Sequence, residues 1–296
     1  MTSVGTVTAT VTGTTERSHS SDDGRPASPG ARFVCRRRAL RGSVTLMIEV
    51  ARKDSVAVLT MAHGKANAMD TSLMREMRRV MVETIQSDAR AIVITAHGPI
   101  FSAGVDLMAL AKGGRPYLEE FLPELSAALR LVFATDRPVV AAVNGHAIAG
   151  GCILACACDY RLMARGAGRI GVPELRVGVP FPMVPAEITR YALGTARAQR
   201  AMLVGTVVEA ERAVEAGMID EVVEPERLRE RALAAAHAMA ATPPASYARV
   251  KRDLRRPVLE TWERLQLQHD RETLEAWDSA AVREAVRAYV EKTLKK

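Results

Sequence analysis

Cysteine and aromatic side chains are scarce in this chain, and no sign of charge dominates it. Four cysteines occur, Cys35, Cys152, Cys156 and Cys158; three crowd into one apolar segment with no second cluster to pair with them. That pattern argues against a disulfide framework and sets a reducing, cytoplasmic compartment as the expectation. Cys152 and Cys156 would share a helix face, so a zinc site is conceivable, but small buried residues in a core helix are the simpler reading, and no metal is expected. No internal repeat, no GxGxxG after a strand and no GxxxxGK[ST] occurs, which removes the main support for dinucleotide and P-loop binding. The N-terminus lacks the apolar run of a secretory signal.

One long uncharged stretch, residues 138–157, approaches the length of a membrane span. Pro138, Asn144, Gly145, His146, Gly150 and Gly151 interrupt it, so a buried strand, a turn and a buried helix fit it better. The net charge of +7 is uneven: residues 1–46 hold seven Arg and three acids, leaving 34 Lys+Arg against 31 Asp+Glu. The basic balance therefore owes much to the N-terminus and does not point to nucleic acid. Residues 1–46 read as a disordered extension or an over-extended start ahead of Met47. A transit peptide, and with it the mitochondrial matrix, is the alternative.

What is present begins at Met47. MIEVARK and SVAVLTM read as two strands around a Lys53-Asp54 turn. Residues 70–87 read as a helix capped by Asp70 or Thr71, with Leu73, Met77, Val80, Met81 and Ile85 on one face. AIVITA (91–96), VVAAV (139–143) and YRLMA (160–164) read as strands, and 117–134 and 150–158 as helices. Beyond residue 182 the pattern is almost wholly helical, with helices at 225–241, 245–255 and 258–294. Strands alternating with helices on short links predict an α/β core with parallel strands.

Three segments combine glycine with a place where backbone could approach a ligand. In Phe101-Ser102-Ala103-Gly104-Val105-Asp106, Gly104 permits a bend, and the Val105 N–H is expected to open the next helix. In the segment Asn144 to Gly151, the Gly150 N–H falls in a first helical turn, where N–H groups are unpaired and the dipole is positive. Two such donors converging on one oxygen make an oxyanion hole; the same glycines could equally serve to pack helix on strand. In Gly171-Val172-Pro173-Glu174, a single carboxylate sits in apolar surroundings. It could be solvated or paired with Arg176, or it could face an apolar pocket, where lost solvation would suit it to proton transfer.

In order and spacing these segments resemble the crotonase superfamily, the enoyl-CoA hydratase/isomerase family. FSAGVDL (101–107) and PVVAAVNGHAIAGGCILACACDYRLMA (138–164) are similar to its two signatures, and the resemblance runs from about residue 47 to the C-terminus. It implies a ββα spiral core over residues 47–240 and a helical oligomerisation region over 241–296, giving a homotrimer or hexamer. It also implies an acyl-CoA thioester as substrate, with no separate cofactor. By the same resemblance Val105 and Gly150 supply the oxyanion-hole N–H groups and Glu174 the base. The segments holding Lys65, Ala66 and Ala68, and Ala103, Asp106, Leu107 and Met108, border the substrate. The hydratase pattern carries a second acid where this chain has Ile153, and that departure favours moving a double bond over adding water. The remaining carboxylate, Asp106, is read as a helix cap and His146 as a hydrogen-bonded core residue. Hydration, another acyl-CoA lyase or hydrolase reaction, and an RNA-binding or scaffold role are the alternatives.

Overall fold

The computed structural model describes residues 46–293. The extension read over residues 1–46 lies outside them apart from Leu46, as do Cys35 and the arginine cluster beside it. Strands β1 (Ile48–Lys53) and β2 (Val56–Met61) form an antiparallel hairpin around Asp54, which has positive φ. Helix α1 (Thr71–Gln86) follows, capped by the Asp70 carboxylate, which accepts the Leu73 N–H at 2.7 Å. Then come β3 (Ala91–Ala96), β4 (Ile100–Ser102) and the long helix α2 (Leu107–Ala134).

The next two turns repeat that plan. β5 (Val139–Val143), β6 (His146–Ile148) and α3 (Gly150–Ala157) make one; β7 (Tyr160–Ala164), β8 (Arg169–Gly171) and α4 (Glu174–Val177) make the other. The chain continues through α5 (Met183–Leu193), α6 (Thr195–Val204), β9 (Val207–Glu209), α7 (Ala210–Glu215) and β10 (Glu221–Val223). It ends with α8 (Leu228–Ala240), α9 (Pro244–Asp278) and α10 (Ala280–Thr293). The stretch over 138–157 is thus strand, turn and helix, and no helix among the described residues is long and apolar enough to cross a membrane.

Two sheets result. One has the order β1-β2-β3-β5-β7-β10 and is parallel beyond the first hairpin; the other has the order β4-β6-β8-β9. Each successive strand pair (β3 with β4, β5 with β6, β7 with β8) moves one place along both sheets, which is the ββα spiral. Alternation along the inner strands β2, β3, β5 and β7 buries both of their faces, whereas the edge strand β1 is largely exposed. Val56, Val58, Val93 and Val140 pack under Leu228, Ala232 and Ala236 of α8. Ala57, Leu59, Ile92, Ile94 and Ala141 face the main core with α1 and α2.

Three sequence expectations need correction. Helix α2 starts at Leu107 rather than 117, because Asp106 caps it and Gly114 (φ 58°, ψ −151°) lets the chain kink and resume. The C-terminal break falls at Ser279 rather than before Pro257. α9 runs through Pro257, whereas Ser279 is extended and its hydroxyl accepts the Val282 N–H at 3.3 Å, opening α10. Finally, β9 and β10 interrupt the region read as almost wholly helical, and β10 finds a parallel partner in β7.

Candidate active site

The site follows from one topological fact. β4, β6 and β8 lie side by side and parallel, with Ser102 opposite Ala147 and Ile148 opposite Gly171. Their C-terminal ends therefore share one edge of the smaller sheet, as in other open α/β sheets. Val105, Gly150 and Glu174 each come two or three residues after one of those ends.

Each segment is held by local bonds. Asn67, buried and with φ 46°, accepts the His63 N–H on its side chain at 2.8 Å and donates to the Ile100 carbonyl at 2.9 Å. The Ala103 N–H donates to Ala66 O at 3.0 Å, and Ser102 Oγ donates to Asn67 O at 2.7 Å. The 63–68 loop is thus clamped to the chain after β4. Met69 bridges to Val105, donating to Gly104 O and accepting from the Asp106 N–H, a pattern that leaves the Val105 N–H out of the ladder. Val105 does not open α2 as expected: Asp106 intervenes as its N-cap, accepting from Met108 and Ala109 at 2.9 and 3.0 Å.

At the second segment Ala149 takes φ 53° and ψ −122°, a conformation that costs a non-glycine residue about 1–3 kcal/mol. Its own N–H is tied to Gly171 O at 2.8 Å. The strained turn starts α3 at once, leaving the Gly150 N–H in the unpaired first turn. The two loops touch. Gly104 has φ +83°, and a Cβ there would lie 2.8 Å from Ile148 O and 2.9 Å from Gly150 N. A Cβ on Gly150 would lie 3.4 Å from Gly104 Cα. Glycine at both positions is what lets the segments close on each other.

Glu174 opens the short helix α4 behind Pro173, and Gly178, with φ 81°, ends it. The residue is half-buried as a whole, yet both carboxylate oxygens are shielded from solvent and have no hydrogen-bond partner among the described residues. Arg176 does not pair with it; its Nε donates to Val204 O at 3.3 Å. Loss of solvation pushes the Glu174 carboxyl up to about 8; its own backbone N–H, nearby but not hydrogen-bonded to it, opposes this only weakly.

Val105, Gly150 and Glu174 line one cavity of about 750 Å³, together with Lys65, Ala66, Ala68, Ala103, Asp106, Leu107 and Met108. Ile153, one turn into α3, lines it too. The carboxylates on its wall are Glu174 and Asp106, and the latter is engaged as a cap. Phe181 and Pro182, bulky apolar residues after Gly178, also face it. The sequence reading missed the contribution of the C-terminal helices: Trp277 of α9 and Tyr289 of α10 complete the wall. No motif marks them; the only signal available was that tryptophan occurs twice in the whole chain.

Two further polar residues, His146 and Tyr160, fall outside the cavity. His146 Nδ1 accepts the Arg169 N–H at 3.2 Å, and Tyr160 meets Glu221 at 3.1 Å. Cys152, Cys156 and Cys158 are buried thiols, and no group of three possible metal ligands occurs among the described residues.

The edge thus brings the Val105 and Gly150 backbone and one desolvated carboxylate, that of Glu174, to a single largely apolar cavity. In comparison with known proteins, residues 51–296 match the Enoyl-CoA hydratase/isomerase family model, and the chain belongs to that family of enzymes. A probable enoyl-CoA hydratase of Rhizobium meliloti is 31% identical over 198 residues, covering 66% of this chain and 75% of that protein. The mouse mitochondrial enoyl-CoA delta isomerase 1 is also 31% identical, over 45% of this chain and 46% of its own length. The crystal structure of the human mitochondrial delta3-delta2-enoyl-CoA isomerase shares the fold, with a TM-score of 0.80 and 22% identity over 84% of this chain and 98% of that one.

Proposed function

We propose that the chain isomerises 3-enoyl-CoA thioesters to 2-enoyl-CoA thioesters in fatty-acid metabolism. The observation that carries this reading is Ile153, buried on the cavity wall, beside a single free carboxylate. With the thioester oxygen between the Val105 and Gly150 N–H groups, Glu174 removes a C2 proton. The electrons move onto the oxygen, and the dienolate is stabilised by the two donors. The same carboxyl then returns the proton at C4 while the C2=C3 bond forms. Atoms and charge balance without water, metal or redox partner, so no cofactor beyond the coenzyme A of the substrate is called for. Hydration asks for more, since a water must be held and deprotonated while a proton reaches C2, and an apolar side chain at Ile153 offers nothing to hold it.

Lys65, exposed at the cavity rim, suits a phosphate of coenzyme A, with Ala66, Ala68, Ala103, Asp106, Leu107 and Met108 bordering the pantetheine path. A homotrimer or hexamer is part of the same reading; light scattering on the purified protein tests it.

The deciding experiment incubates the protein separately with a 3-enoyl-CoA and a 2-enoyl-CoA and follows product mass. Isomerisation leaves mass unchanged and hydration adds one water. Substantial hydration of the 2-enoyl substrate would refute isomerisation as the main activity. Glu174→Gln is expected to abolish turnover while acyl-CoA binding, measured by calorimetry, stays within severalfold.

A further inference from the structure

The lining of the cavity divides by exposure. Lys65, Ala103 and Met108 are exposed, with Met108 52% accessible. Leu125 (2%), Leu129 (1%), Val179 (4%) and Trp277 (2%), which line the same space, are closed off from solvent. The reacting positions, Val105, Gly150 and Glu174, line the same space. A thioester that enters coenzyme-last with its carbonyl at the two N–H groups must therefore send its acyl chain toward the closed-off residues.

We propose that Trp277 is the specificity-determining residue of this site: its indole forms the end wall that limits the length of an uncharged aliphatic acyl chain. This rests on the acyl-CoA reading above. The wall is fixed in place rather than adaptable. The Trp277 indole N–H donates to Pro180 O at 2.9 Å, tying α9 to the segment that follows α4. Next to it, Asp278 accepts from Arg115 of α2 at 3.3 Å and from Arg283 of α10 at 3.1 Å. Gly178 lies so near α10 that a Cβ there would meet the Ala285 Cβ at 2.7 Å. The α9–α10 corner is thus pinned at three points around the indole. The lining chemistry sets the class of chain admitted. Leu125, Leu129, Val179, Pro185 and Trp277 offer no free cation or hydrogen-bond donor, the Tyr289 hydroxyl that also lines the cavity is neutral, and Glu174 adds negative charge when ionised, so an acyl chain ending in a carboxylate is disfavoured.

Binding of saturated acyl-CoAs of increasing length, measured by calorimetry, tests this without any turnover. Each methylene buried adds about fourfold in affinity, from ~0.8 kcal/mol per CH₂. In the wild type that rise is expected to stop at a defined length, and the ω-carboxyl analogue of a well-bound chain is expected to bind at least tenfold more weakly. Trp277→Leu should carry the rise on to longer chains. Leu125→Phe, which adds bulk among the closed-off residues, should end it earlier, and this variant keeps the question answerable if the first does not fold. The same break point in the wild type and in every folded variant would overturn the assignment of Trp277. Failure of all lengths to bind would instead overturn the acyl-CoA reading beneath it.

Discussion

Burial without a partner ties two properties of Glu174 to pH in opposite senses. Its carboxyl is raised from the ordinary 4.5 to about 8, so the folded protein holds a proton that the unfolded chain releases near 4.5. Stability from this group is therefore full below about 4.5 and declines as pH rises toward 8. Catalysis as proposed needs the ionised base, so kcat/KM of the free enzyme should rise through the same interval and level off above about 8. A profile of kcat/KM that stays flat from pH 6 to 9 would argue against Glu174 as the base. In thermal melts, the Glu174→Gln variant should gain on the wild type as pH rises, because the amide has no charge to desolvate. Burial in an apolar pocket was one of three outcomes the sequence left open for Glu174. Solvation and pairing with Arg176 were the others, and the choice required knowing that both carboxylate oxygens are shielded and that Arg176 turns to Val204.

Among the elements, the two loops of the proposed oxyanion site pack directly on each other. Gly104 sits 2.8 to 2.9 Å, measured from where its Cβ would be, from backbone atoms of Ile148 and Gly150. Gly104→Ala must push these loops apart and also forces alanine into positive φ. Turnover is expected to fall about a hundredfold or more, the loss typical of one misplaced oxyanion donor. Circular dichroism should remain that of the folded protein. Unchanged turnover in a folded Gly104→Ala would mean that the two N–H groups do not act together. The capping roles of Asp70 and Asp106 were legible because a side-chain oxygen ahead of a periodic apolar run is a local signal. The kink at Gly114 and the helix continuing through Pro257 were not, since packing partners decide whether a helix resumes after such residues.

For the molecule as a whole, the C-terminal helices are stapled to the spiral by a buried ionic cluster. Asp159, just after α3, accepts from the Val139 N–H, Lys251 and Arg255, each at 2.7 Å. Arg255 also lies over the Phe133 ring, 4.0 Å from its centroid, and donates to Phe133 O. Lys251 is held down at about 8, chiefly by lost solvation, with the Arg255 charge adding to the effect and Asp159 opposing it. Removing the shared anion strands two buried cations, so Asp159→Ala should cost about 3–5 kcal/mol in denaturant unfolding. A loss below about 1 kcal/mol would show that water replaces the carboxylate and that the staple is weak.

By itself the sequence determined the local frame: five of the six strands of the larger sheet, the helix caps, and the three glycine- or proline-marked segments that resemble one family. These are readable because periodicity and turn chemistry act over a few residues. Tertiary structure alone decided that three parallel strand ends would bring Val105, Gly150 and Glu174 to one edge. It alone decided that no cation among the described residues would pair with Glu174, and that Trp277 and Tyr289, far along the chain, would line the cavity. Burial and pairing are properties of what surrounds a side chain, and here those surroundings come from segments as distant in sequence as α2 and α10.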